Sequence, residues 1–82
     1  MKTLEEYTMS GKFSQGQLNV IKKGLDKNLN VSVYAKPEFN CLQMKLILHG
    51  LEDGLDVSTY AKPLLTIKEM RYIMRGLKDK VK

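Results

Sequence analysis

Apolar residues recur at helical spacing in three places along the chain. Met44, Ile47, Leu48 and Leu51 fall at i, i+3, i+4 and i+7, which is one face of an α-helix. Met70, Ile73, Met74 and Leu77 repeat the pattern, and Leu18, Ile21 and Leu25 repeat it with Lys22 in place of the fourth apolar residue. Each stretch has a start signal. Ser14, Asn40 and Thr66 stand where a side-chain oxygen accepts from the free N–H groups of a first turn. Gln17, Gln43 and Glu69 follow three residues later, the capping-box spacing. Asn28 and Gly54, two residue types that tolerate the left-handed conformation, predict where the first two helices stop. Lys80 holds that position in the third, so this helix is expected to run on and fray.

The same register relates everything between the helices. Residues 13–38 and 39–64 align without a gap at an offset of 26, with 12 identical positions. Among them are Phe13/Phe39, Gln17/Gln43, Gly24/Gly50, Tyr34/Tyr60 and the Tyr-Ala-Lys-Pro strings ending at Pro37 and Pro63. Residues 65–82 form a truncated third copy, which keeps Met70, Ile73, Gly76, Leu77 and Asp79. Residues 1–12 read as a leader, or as a degenerate half-copy around Tyr7 whose spacing to Phe13 is one residue too long.

After each stop comes Leu-Asn-Val-Ser-Val-Tyr or Leu-Asp-Val-Ser-Thr-Tyr. Asn30 and Asp56 read as N-caps of a second, very short helix, which Pro37 and Pro63 terminate. Val, Thr and Tyr also favour strand, so a short extended segment is the alternative. The caps favour the helix. Each unit is then a longer helix, a turn and one short helical turn, and neither piece buries its apolar face alone. The expected fold is all-α, a small right-handed-type helical repeat of about three stacked units within one domain, residues 13–82. Phe13, Phe39 and Leu65 read as hydrophobic staples before each cap. Gly24, Gly50 and Gly76 lie in mid-helix, where glycine costs about 1 kcal/mol relative to alanine, which suggests a close helix or side-chain approach at one edge of the apolar face rather than close approach of a ligand.

Composition narrows the chemistry. The chain has 82 residues, 43% apolar and 28% charged, an ordinary globular balance with room for one small core. One Cys excludes a disulfide framework within a chain, and no segment approaches the roughly 20 apolar residues of a membrane span. A cytoplasmic protein is the expectation, with no signal sequence at residues 1–10. One His, one Cys and no Trp leave no recognisable metal site, phosphate loop or nucleophile triad, so neither a cofactor nor enzyme activity is expected. Cys41 falls in the first turn of the second helix without a partner base and reads as an incidental reduced thiol.

The net charge of +5 is uneven. Residues 1–64 carry 8 basic and 7 acidic side chains, whereas residues 65–82 carry 6 basic and 2 acidic. Lys68, Arg71, Arg75, Lys78 and Lys82 make one stripe on the third helix, opposite its apolar face. Stacking would extend this stripe into two columns, Lys23, His49 and Arg75, and Asn19, Lys45 and Arg71, with Asp26, Glu52 and Asp56 interrupting. The two Tyr-Ala-Lys-Pro corners should line one rim; the favoured reading is that Tyr34 and Tyr60 are packed with their hydroxyls hydrogen-bonded and that Lys36 and Lys62 are exposed with their corners, and the alternative is a Lys-Tyr rim suited to a nucleic-acid backbone.

The string Gly-Leu-Glu-Asp-Gly-Leu-Asp-Val-Ser-Thr-Tyr-Ala-Lys-Pro at residues 50–63, followed by Met70-x-x-Ile73, resembles short tandem repeats in proteins of phages, plasmids and conjugative elements of Gram-positive bacteria. The resemblance covers residues 13–82, and the first copy departs from it at Asn28 and Asn30, where Gly and Asp are usual. It implies a mobile-element context and transfers no catalytic or binding residues. The leading expectation is a non-enzymatic binding module, monomeric or weakly self-associating, that docks on a host or element protein, such as a defence-system inhibitor or adaptor would. Its candidate contacts are Lys23, Lys36, Lys45, His49, Lys62, Lys68, Arg71, Arg75 and Lys78. The alternative is nucleic-acid binding through the basic face of the last helix.

Overall fold

The computed structural model describes residues 4–80, with the side chain of Lys80 left aside; Lys82 of the basic stripe lies outside the described residues. Four α-helices and two single 3₁₀ turns follow in chain order, and no strand occurs among the described residues. The helices are α1 (Leu4–Met9), α2 (Gln15–Asp26), α3 (Cys41–Glu52) and α4 (Ile67–Lys80). The 3₁₀ turns are Val31–Val33 after α2 and Val57–Thr59 after α3. The Val-Ser-x-Tyr segments are thus helical turns and not strands.

The starts of the three long helices are built alike. The Ser14 and Asn40 side chains accept from the backbone N–H of Gln17 and Gln43, whose side chains accept in return from the backbone N–H of the cap. Thr66 and Glu69 make the same reciprocal pair at 2.9 and 3.1 Å. The ends also match. Asn28 and Gly54 take φ of 60° and 73°. The N–H groups of Leu29 and Leu55 then reach back 2.9 Å to the carbonyls of Gly24 and Gly50, closing a Schellman turn that satisfies carbonyls the helix would otherwise leave free. Lys80 does not provide this turn, and α4 runs through its position.

One expected cap is absent. Asn30 makes no capping bond to the 3₁₀ turn, and its side-chain oxygen is taken by the Ser32 hydroxyl at 2.6 Å. Asp56 does accept from the Ser58 N–H at 3.3 Å, on the same Oδ1 that accepts from the Ser58 hydroxyl at 2.6 Å. Tyr7 lies in an α-helical segment, not in a 3₁₀ turn, and packs edge-on to Phe13 with ring centres 5.9 Å apart.

Each long helix packs on its neighbours in the chain, and α2 and α3 each also pack on their own 3₁₀ turn. The core runs along these contacts through Ile21, Tyr34, Phe39, Met44, Ile47, Tyr60 and Met70, all fully buried. Phe39 is therefore more than a staple. Lys22, at the position of Leu48 and Met74, is exposed and paired with Asp26 at 3.1 Å.

The tyrosines explain two of the glycines. The Tyr34 hydroxyl donates to the Val20 carbonyl at 2.8 Å, and the Tyr60 hydroxyl to the Leu46 carbonyl at 2.9 Å. To get there each ring crosses its helix at a glycine: a Cβ on Gly24 would collide with the Tyr34 hydroxyl and Val31, and one on Gly50 with the Tyr60 hydroxyl and Val57. A buried phenol must find an acceptor, and the bare backbone of glycine is what admits it. Gly76 has no such neighbour, and a Cβ there would meet open space.

Candidate functional site

A second side-chain bond joins the units. Gln17 and Gln43 use Oε1 for the capping box and turn Nε2 toward the next linker. Nε2 of Gln17 donates to the carbonyls of Pro37 and Phe39 at 3.3 and 2.6 Å, and Nε2 of Gln43 to those of Pro63 and Leu65 at 3.1 and 2.9 Å. One amide thus fixes both the start of a helix and the path of the chain into the following helix. Glu69 holds this place in α4 and is exposed. Its carboxylate can cap but, when ionised, has no proton to donate.

The outer face of α4 is where the repeating burial ceases. Tyr72 is equivalent by register to Val20 and Leu46, which are 1% and 8% exposed, yet Tyr72 is 80% exposed. Ile73 is half-buried where Ile21 and Ile47 are fully buried, and Gly76 is open where Gly24 and Gly50 are covered. Leu64, in the linker before α4, is also exposed. Leu65, Thr66, Lys68, Glu69, Tyr72 and Ile73 line a groove of about 500 Å³. Neither Tyr72 nor Leu64 stands out in the pattern of charges. The readable signal is register: an aromatic at a position that is core in both earlier units.

Lys68, Arg71 and Arg75 are exposed on the same helix and make no ion pair among the described residues. Lys78 departs from the expected free stripe: its ammonium lies 3.3 Å from the Asp53 carboxylate at the end of α3. The columns are only partly free as well. Asn19, Lys23 and Lys45 do line one groove of about 390 Å³ between α2 and α3, together with Asp26 and Cys41, so its charge is mixed. His49 Nδ1 lies 3.4 Å from Glu52, and Glu52 is also bonded to Lys27. The Lys27 ammonium holds the Glu52 carboxyl below its usual range, with His49 adding to the effect. Glu52, which interrupts a basic column in sequence, is therefore a partner within it.

The Tyr-Lys rim does not form as a binding surface of both residues. Tyr34 and Tyr60 are fully buried and hydrogen-bonded inward, and Lys36 and Lys62 are left exposed at the corners. Lys36 borders a separate groove of about 460 Å³ with Tyr7, Leu25, Leu29, Asn30 and Val31.

Among the described residues, no group of three or more His, Cys, Asp or Glu side chains could hold a metal ion. Among the same residues, no helix is long and apolar enough to cross a membrane. No family model, curated protein or solved structure matches the chain.

Proposed function

We propose that this protein is a non-enzymatic helical-repeat module that docks through the outer face of α4 on a protein surface carrying acidic and apolar groups. The observation that carries this reading is the exposure of Tyr72 on a helix whose neighbouring cations, Lys68, Arg71 and Arg75, have no ion-pair partner among the described residues. Tyrosine and arginine are among the side chains enriched where binding energy concentrates at protein interfaces, since each combines large contact area with directed polar bonds. Three unpaired cations select an acidic partner and speed encounter with it. The repeat supplies rigidity: buried tyrosines, capping boxes and linker bonds fix the helix that presents the face. The resemblance to mobile-element repeats favours a partner in a Gram-positive host or in the element itself.

The test is a pull-down from a Gram-positive lysate with the wild-type protein and three variants as baits. The wild-type protein should retain a partner saturably and stoichiometrically. Tyr72→Ala and the double reversal Arg71→Glu/Arg75→Glu should each lose it, while Lys36→Glu/Lys62→Glu should keep it. Retention that ignores the α4 substitutions would overturn the assignment.

A nucleic-acid phosphate backbone is the second reading, favoured by the same unpaired cations. A mobility shift that weakens steeply with salt and disappears in the arginine reversals would promote it; no binding at low salt removes it.

A further inference from the structure

The junctions of α2 with α3 and of α3 with α4 carry ion pairs at the same places with opposite signs. Lys27, at the end of α2, bonds Glu52 of α3. Asp53, at the end of α3, lies 3.3 Å from Lys78 of α4. The offset of 26 makes Asp53 the equivalent of Lys27, and Lys78 the equivalent of Glu52. Cation faces anion across the first junction, and anion faces cation across the second. Asp26, which holds the place of Glu52 and Lys78 in the first unit, is paired with Lys22 of its own helix. The rest of each joint is nearly interchangeable. Met44, Ile47, Leu48 and Leu51 of α3 correspond to Met70, Ile73, Met74 and Leu77 of α4. Asn40 and Thr66 cap the two helices alike, and the amides of Gln17 and Gln43 grip backbone carbonyls, which any linker offers. Packing therefore gives α2 little reason to prefer α3 over α4, and misassembly between similar units is a characteristic failure of repeated chains.

We infer that Lys27, Glu52, Asp53 and Lys78 fix the order in which the units stack, because α4 laid directly on α2 would set Lys78 against Lys27. Like charges then meet where the native stack has opposite ones. The same residues oppose an exchange of α3 between two copies, which would set Asp53 against Glu52. Had both junctions carried the same sign order, either error would have kept its attraction. The discrimination comes from repulsion in the wrong arrangement more than from attraction in the right one, since an exposed pair adds little to stability. All four side chains are exposed, so salt weakens the effect. This ordering concerns how the module assembles and is independent of what α4 docks on.

The experiment refolds the full chain from urea at low salt, with amide hydrogen exchange pulsed during refolding and read by mass spectrometry. A misordered stack protects α2 and α4 while α3 is still open. Lys27→Asp/Glu52→Lys reverses the first junction, and Asp53→Lys/Lys78→Glu reverses the second. Every substitute is a residue that already stands at the equivalent place in another unit. Each double variant keeps the net charge and keeps opposite charges in the native stack, but gives both junctions the same sign order. Each should raise the misordered population about fivefold over the wild type. The quadruple variant, with both reversals, regains repulsion between positions 27 and 78 and should return to the wild-type level. In roughly 1 M salt all four proteins should behave alike. Equal misordered populations in the wild type and the double variants at low salt would overturn the inference. So would a quadruple variant that stays with the doubles. If one double variant does not fold, the other makes the same comparison with the wild type.

Discussion

The Tyr60 hydroxyl lies on the Leu46 carbonyl, fourteen residues earlier, in a notch that exists because Gly50 has no side chain. The phenol, the glycine and the carbonyl make one lock, and Tyr34, Gly24 and Val20 make another. Most expected effects of substitution depend on which positions belong to a lock and which do not.

Alanine at the three mid-helix glycines should act in opposite directions. Gly24→Ala and Gly50→Ala force a methyl group into the tyrosine and valine side chains, and overpacking of this kind costs about 1–3 kcal/mol. Gly76→Ala meets open space and should stabilise by roughly 0.5–1 kcal/mol through helix propensity. Urea unfolding curves of the three variants measure both signs.

The tyrosines should make the fold sensitive to alkali. Burial pushes the Tyr60 phenol up to about 12, with Asp53 adding to the rise, and burial raises Tyr34 as well. A raised folded-state value means that the unfolded chain loses these protons first. Stability is therefore complete below about pH 10 and falls as pH rises from there toward and beyond 12. Unfolding midpoints between pH 9 and 12 should decline for the wild type and decline less for Tyr60→Phe. At neutral pH that variant should lose about 1 kcal/mol with the hydroxyl's hydrogen bond.

Gln43→Glu should be the most damaging single-atom exchange. The Gln43 side chain is buried, and the new oxygen would face the Pro63 and Leu65 carbonyls, acceptor against acceptor. Loss of two bonds and burial of an unpaired carboxylate should cost roughly 3 kcal/mol at neutral pH, and part should return as acid protonates the new group. Glu69→Gln is the control: it keeps the capping box at an exposed site and should be close to neutral for stability.

The Lys27–Glu52 contact predicts a local titration. In the wild type the Glu52 carboxyl should titrate below the usual range in a carboxylate-resolved NMR experiment. Its small contribution to stability is present above the ordinary carboxylate value and is lost as pH falls through the lowered one. Lys27→Ala should return Glu52 toward the ordinary value, and added salt should do so partway.

The periodic part of this fold is legible in the chain because it is local. Caps at Ser14, Asn40 and Thr66, stops at Asn28 and Gly54, and the apolar faces depend on residues within a turn or two. The close approach at Gly24 and Gly50 is visible as a repeated cost, although Tyr34 and Tyr60 emerge as its cause only when distance in space replaces distance in sequence. Gly76 shares the symbol without sharing the contact. The basic stripe is simpler in sequence than in space, since Lys78 finds Asp53 at the end of another helix and Glu52 finds Lys27, pairings that helical spacing within one element does not reveal. Asn30 shows the other side of this. A capping residue in sequence makes no capping bond, whereas Asp56, which accepts the same hydroxyl contact from Ser58, does.

The Gln43 amide reaches forward into the linker that opens the next unit, and the linker that opens its own unit receives the same reach from Gln17. Residues 39–64 consequently begin and end with complementary fittings. A duplicate of that segment placed after Leu64 would find a glutamine behind it and would offer one ahead, with every helix still in phase. An insertion that is not a whole multiple of this length would leave a glutamine without its two carbonyls and a tyrosine without its notch. Length in such a protein is therefore expected to change in whole steps of 26 residues.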